Sequence, residues 1–245
     1  MFIQAIQDIS EFTRPILTIS RTYKDTEVQP GAATLFFINE EGYAVTCKHV
    51  ANMLVIAKQI NPKYDDFKQK RSELPTSKQY KNKLKKLEKE FELTKDTTVE
   101  VKNRFIDCAT NINCKVIFHE TEDIAVIKFN EPGDLHYKNF AYFFKDDSKV
   151  SPGKTLCKIG YPFPEYKNFE YNENTDSIEW TENQSSYPLF PLDGMITRQI
   201  FNQNRGVVSQ FEMSTPGLRG QSGGPIFDEN GVIYESDFES DIGVD

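Results

Sequence analysis

Apolar and polar positions alternate in several distinct rhythms along this chain. In residues 1–13, Phe2, Ile3, Ile6, Ile9 and Phe12 recur at roughly helical spacing, which predicts a short amphipathic lead-in. Pro15 is expected to end it, and Ile16–Ser20 then reads as a strand. Thr34–Ile38 and Tyr43–Thr46 are β-rich runs on either side of Asn39-Glu40-Glu41-Gly42, a hairpin pattern in which glycine supplies the turn. Residues 53–104 differ in kind. The stretch 62–104 is Lys-rich and poor in β-branched residues, and Tyr80, Leu84, Leu87 and Phe91 form one apolar stripe between Ser77 and Leu93. Pro75 precedes this helix, with Thr76 or Ser77 as its cap. The segment reads as a helical hairpin inserted in a β domain. Its stripe is expected to pack on its own domain; the alternative is a docking surface for a protein partner.

The β rhythm returns afterwards. Cys114–Phe118, Ile124–Phe129, Thr155–Ile159 and Val207–Met213 read as strands, punctuated by Gly, Pro and Asn turns. That pattern predicts a mainly β protein, a sandwich or a barrel. Residues 165–186 are polar and aromatic and are expected to form a long surface loop. There is no internal repeat.

Composition narrows the function. With 245 residues the chain can bury a sizeable core. Its formal net charge of -8 argues against nucleic acid as a partner, because phosphate binding needs a basic footprint. The longest apolar runs, such as Ala51–Ala57, are too short to span a bilayer, so no membrane association is expected. The N-terminus carries Gln and Asp where a secretory signal would carry basic residues and an apolar run, which predicts a cytoplasmic location. Cys47, Cys108, Cys114 and Cys157 include no CxxC pair, so neither a zinc site nor a redox motif is expected, and the four read as buried structural thiols. No metal or organic cofactor is expected.

The chemistry concentrates in Gly220-Gln221-Ser222-Gly223-Gly224-Pro225. A serine hydroxyl is a weak nucleophile until a base takes its proton, and it needs backbone N–H groups to hold the oxyanion that forms on attack. Glycines let the chain turn tightly enough to aim them. The segment fits the nucleophile elbow of α/β-hydrolases and the serine loop of chymotrypsin-like peptidases. Chain order separates these. His49, His119 and His136 all precede Ser222, and Gly223-Gly224-Pro225 is a poor start for the helix that an elbow requires. The order His…Asp…Ser remains.

Two further segments fit that order. Gly42-Tyr43-Ala44-Val45-Thr46-Cys47-Lys48-His49-Val50 places a histidine at the end of a strand, and Thr121-Glu122-Asp123-Ile124-Ala125-Val126-Ile127-Lys128 places an aspartate at the start of one. Together the three segments resemble trypsin-like serine peptidases, and among these the bacterial high-temperature-requirement proteases. The resemblance implies two packed antiparallel β-barrels with the site at their junction. The first lobe would span residues 1–130, interrupted by the helical insert at 53–104, and the second 131–245. It implies His49 as general base, Asp123 as the acid that orients it and Ser222 as nucleophile, with the N–H groups of Gly220 and Ser222 as oxyanion hole. Glu122 and Asp107 are rival acids; the apolar run directly after Asp123 favours Asp123. His119 and His136 read as surface residues.

Three departures from the family matter. Gln221 stands where digestive relatives carry the Asp that pairs with a new N-terminus, so no activation by N-terminal cleavage is expected. The specificity-pocket floor falls at Pro216, with no acid for a Lys or Arg side chain, so Pro216 and Gln221 are the candidate substrate-binding residues of a site with a small or apolar preference. Only 23 residues follow Ser222. Gly231–Tyr234 reads as a strand, 235–241 turns acidic, and Ile242-Gly243-Val244 reads as the remnant of a last strand, which leaves three expectations open: an incomplete cleft, a truncated or altered form of the chain, or a partner that supplies the missing edge. Two functions compete on these grounds: a serine endopeptidase acting on polypeptides through an acyl-enzyme, and a protease-fold protein that binds peptides without cutting them.

Overall fold

The computed structural model describes residues 2–76, 78–144, 150–182, 186–201 and 208–236. These residues are mainly β. The lead-in forms α1 (Ile3–Ser10), which buries Ala5 and Ile9. Six strands then build one antiparallel sheet: β1 (Thr13–Thr22), β2 (Gln29–Phe37), β3 (Tyr43–Cys47), β4 (Thr98–Phe105), β5 (Cys114–Phe118) and β6 (Ile124–Phe129), in the order β4-β1-β2-β3-β6-β5. Strict alternation of side chains across the pleat gives β6 its buried set, Ala125, Ile127 and Phe129. Gly42 closes the β2–β3 hairpin at φ +81°, a conformation that side chains with a Cβ rarely adopt.

A second sheet follows, comprising β7 (Tyr142–Phe143), β8 (Thr155–Gly160), β11 (Phe190–Phe201), β12 (Val208–Met213), β13 (Pro225–Phe227) and β14 (Val232–Ser236). Its order is β12-β11-β8-β13-β14-β7, antiparallel except for the pair β14–β7. The pairings describe two open sheets, each ending on edge strands. One apolar core joins them: Leu35, Phe36 and Phe37 of β2 and Ile127 and Phe129 of β6 belong to the same buried cluster as Ile159 of β8, Phe227 of β13 and Ile233 of β14.

The helical insert is real, but its bounds differ from the sequence expectation. α2 (Lys48–Ser72) begins directly after β3, and α3 (Tyr80–Glu90) follows it. Gln79 holds the cap position of α3 without a side-chain cap, so Thr76 is not the cap, and Ser77 lies outside the described residues. The insert ends before β4, which lies largely within the span 53–104 expected to be helical. β4 looks polar because Glu100 sits in it, yet Val99 and Val101 flank that carboxylate and are buried, and Arg21 of β1 pairs with it at 3.4 Å. The stripe packs on its own chain: Leu87 and Phe91 join Tyr64 and Phe67 of α2, Tyr23 and Val99 in one buried cluster, with Leu84 against it.

Other boundaries also moved. Pro15 lies inside β1, paired to Thr34, where pairing with β4 has already stopped at Ile16. Part of the expected loop 165–186 is a hairpin, β9 (Phe169–Asn172) and β10 (Ser177–Trp180), which buries Ile178 against Leu17, Ile19 and Tyr166. Asn172 accepts hydrogen bonds from the N–H groups of Asn174 and Thr175, stabilising its turn. Val207 and the expected last strand at 242–244 lie outside the described residues.

A polar cluster ties this hairpin to the insert. Asp176 pairs with Arg21 at 3.0 Å and Arg71 at 2.8 Å, and accepts hydrogen bonds from Tyr64 and Tyr171. Burial opposes ionisation of Asp176, but the bonds from Tyr64, Arg71 and Tyr171 and the charge of Arg21 outweigh it and hold its pKa below the ordinary value. The Arg21 side chain is only 1% exposed, and without the Asp176 charge it keeps Glu100, at 3.4 Å, as its carboxylate partner. Asp176→Asn is expected to lower stability by about 2–4 kcal/mol at neutral pH, measured by urea unfolding. Because the folded-state pKa is lowered, this contribution is complete above the ordinary carboxylate range and is lost as pH falls through the folded value. The gap between wild type and variant should therefore close on acidification.

Candidate active site

The register of β3 against β6 assembles the first half of the site. Cys47 pairs with Ile124, so the residues just after β3 lie beside the residue just before β6. There Asp123 meets the N-terminus of α2. Its Oδ1 accepts the His49 N–H at 2.9 Å, and its backbone carbonyl accepts the Lys48 N–H at 3.1 Å. Asp123 thus satisfies donors that the first turn of a helix leaves unpaired, and its charge suits the positive end of the helix dipole. Its Oδ2 lies 2.6 Å from His49 Nδ1. The two contacts fix both the backbone and the ring of His49. A carboxylate on Nδ1 makes that nitrogen the donor and leaves Nε2 as the acceptor. The pair is reachable from solvent, with side-chain exposures of 46% for His49 and 36% for Asp123.

The rival residues lie elsewhere. Glu122 accepts a hydrogen bond from Thr121, and Asp107 offers its backbone carbonyl to Arg14. His119 uses Nδ1 to accept the N–H of Glu122, and His136 is bonded through its backbone to Cys108 and Arg14.

The second half is the loop 220–224, set directly before β13. Three glycines let it lie against other backbone. Gly220 and Gly223 have φ of +97° and +85°. A Cβ on Gly223 would fall 2.2 Å from Thr46 Oγ1 and 2.3 Å from the Thr34 carbonyl, and one on Gly220 would fall 2.4 Å from the Tyr161 carbonyl. Glycine is required at both positions by conformation and by space.

Thr34 of β2 is the joint between the halves. It is fully buried. Its N–H donates to the Ser222 carbonyl at 3.0 Å, and its hydroxyl donates to the Gly220 carbonyl at 2.8 Å while accepting the Tyr161 N–H at 3.2 Å. Its own carbonyl accepts the Thr46 hydroxyl at 2.7 Å. Two of these four bonds seat the serine loop on β2, and the other two tie Thr34 to Tyr161 and to Thr46 of β3. No sequence motif marks Thr34; it looks like an ordinary strand threonine.

Gln221 has no exposure. Its side-chain oxygen accepts the Leu218 N–H at 3.1 Å and its amide donates to the Phe190 carbonyl at 3.1 Å. It braces the loop from beneath, and its side chain faces scaffold rather than solvent.

Ser222, Gly220 and His49 all line one cavity of about 620 Å³. Its walls include Ala32, Ala33, Val50, Met53, Pro162 and Pro164, with Arg219 as the cation at its side. Pro216 is exposed and does not line it. Met53 and Arg219 were not singled out from sequence; Arg219 stands three residues before Ser222, and that adjacency was the available signal.

Among known families, a Trypsin-like peptidase domain matches residues 33–234. Solved structures that resemble the chain include an HtrA-type protease, AlgW with tripeptide, at 12% identity and TM-score 0.47, where the match covers 95% of this chain and 52% of that one. Deg5 resembles it at 14% identity and TM-score 0.47, with 94% of this chain and 80% of that chain covered. The chain thus spans about half the length of the HtrA-type structure. No curated protein matches the sequence.

Thr34→Val keeps the shape of the buried side chain and removes its hydroxyl. The Gly220 carbonyl and Tyr161 N–H then lose a buried partner, which should reduce stability by about 1–3 kcal/mol in urea unfolding, with an unchanged far-ultraviolet spectrum.

Proposed function

Since the chain belongs to the trypsin-like peptidase domain family, we propose that it is a serine endopeptidase that hydrolyses polypeptides through Ser222, His49 and Asp123. One observation carries the reading. Asp123 binds His49 twice, at Nδ1 and at the backbone N–H, and the ring so held opens onto the cavity that Ser222 also lines.

The chemistry follows from these positions. His49 Nε2 accepts the Ser222 hydroxyl proton as Oγ attacks the scissile carbonyl. Asp123 keeps the ring in the correct tautomer and stabilises the imidazolium that forms. The N–H groups of Gly220 and Ser222 hold the oxyanion, and the positive φ of Gly220 supports that orientation. The imidazolium then protonates the leaving amine, which departs and leaves an acyl-Ser222. Water enters, His49 takes one of its protons, and the resulting hydroxide equivalent cleaves the ester to release acid and free serine. In this reading the two sheets act as two barrels with the site at their junction, and the mainly apolar wall of Ala32, Ala33, Val50 and Met53 receives part of the polypeptide. Gln221 replaces the ion pair made by an activated N-terminus with two internal hydrogen bonds, so the loop needs no cleavage event to hold its shape. The reading includes a cytoplasmic location.

A fluorophosphonate probe tests the proposal. Wild type should be labelled on Ser222, and Ser222→Ala should show none. His49→Ala should slow labelling and peptide hydrolysis by about 10⁴–10⁶-fold while the melting temperature stays near that of wild type. Absence of labelling in folded wild type would sink the enzyme reading and favour a peptide-binding protein.

A further inference from the structure

Beneath the His49–Asp123 pair lies a thiol with no part in the reaction above. Cys47 is the last residue of β3, two positions before His49, and is fully buried without a disulfide. Its Sγ, a ring nitrogen of His49 and a carboxylate oxygen of Asp123 all lie within 4.8 Å of one another. Thiolate, imidazole and carboxylate together are a zinc donor set, and three protein ligands with water in the fourth position make a complete tetrahedral site. Tetrahedral zinc with ordinary bond lengths separates such donor atoms by about 3.5 Å. Side-chain movements of about 1 Å would therefore suffice, drawing Cys47 in and spreading Nδ1 from Oδ2. The ion can enter from the side on which His49 and Asp123 meet solvent.

We propose that Cys47, His49 and Asp123 form an inhibitory site for a thiophilic divalent cation, zinc being the type. The site is a property of these three side chains; the inhibition rests on the peptidase reading. The proton bookkeeping accounts for the effect. Cys47 gives up its thiol proton to solvent and binds as thiolate. His49 binds through Nδ1, the nitrogen that faces Asp123, so its single ring proton moves to Nε2. With Nε2 protonated and Nδ1 on the metal, the ring has no lone pair left to accept the Ser222 proton. The metal thus blocks general-base catalysis without occupying the substrate cavity. Removal by a chelator restores the original tautomer.

Neither donor spacing nor a CxxC pair announces such a site in the sequence. It arises because β3 ends in a short extended step into α2, and because β6 returns Asp123 to the same point.

Cobalt(II), a spectroscopic substitute for zinc, separates the two parts of this proposal. Titrated into the purified chain, it should produce a thiolate-to-cobalt charge-transfer band that saturates at one ion and disappears in Cys47→Ala. Cys47→Ser serves if the alanine variant does not fold. In parallel, zinc should slow fluorophosphonate labelling of wild type at least about tenfold, reversibly with chelator, and each cysteine variant should lose that sensitivity when its rates with and without metal are compared. A missing band in wild type, or a band that survives in both variants, overturns the site. Equal zinc inhibition of wild type and variants, or no inhibition of wild type, overturns the proposed effect. Wild type that never labels defeats the peptidase reading alone, and the cobalt titration still decides the site.

Discussion

Everything at the site depends on backbone lying against backbone where the serine loop meets the first sheet. At Thr34 the loop and the strand come together at hydrogen-bonding distance, and at Gly223 even one added carbon would overlap the strand. Such contact is tolerable only if each buried carbonyl and N–H finds a partner, and the Thr34 hydroxyl acts as donor and acceptor at once. Glycine and threonine here have complementary functions. Glycines remove the side chains that would hold two backbones apart, and threonine supplies the hydrogen bonds that the close approach demands.

The same economy governs Asp123. A single carboxylate caps α2, holds the backbone of His49 and orients its ring. Because the ring belongs to the first turn of α2, anything that anchors the helix also steadies the imidazole. The far end of α2 is anchored by Arg71 on Asp176, whose second partner, Arg21, crosses to Glu100 of β4. The insert is therefore clamped at both ends, by one carboxylate at the site and by another well away from it.

The sequence made His49, Asp123, Ser222 and the glycine loop legible because each sits in a local pattern: strand then histidine, aspartate then apolar run, glycines around serine. The strands Cys114–Phe118 and Ile124–Phe129 were legible for the same reason, since alternation is a local property. What escaped notice depends on partners distant in sequence. β4 was hidden because Glu100 reads as a surface charge until Arg21 is beside it. The β9–β10 hairpin was hidden because its apolar face is completed by Leu17 and Ile19 of β1. Thr34 and Cys47 carry no signal of their own. Gln221 could be seen as a departure from the family but not as a brace, because Phe190 lies 31 positions away.

The bond between the Thr34 hydroxyl and Gly220 spans 186 positions of sequence. Closing a loop of that length carries an entropic penalty on the order of 5 kcal/mol, to be met before any contact within the loop rewards it. During synthesis the strands that carry His49 and Asp123 emerge while the serine loop is still to be made. The strand that will seat that loop is thus made well before its occupant. Assembly of the site is consequently a late, high-contact-order event whose timing follows from the topology.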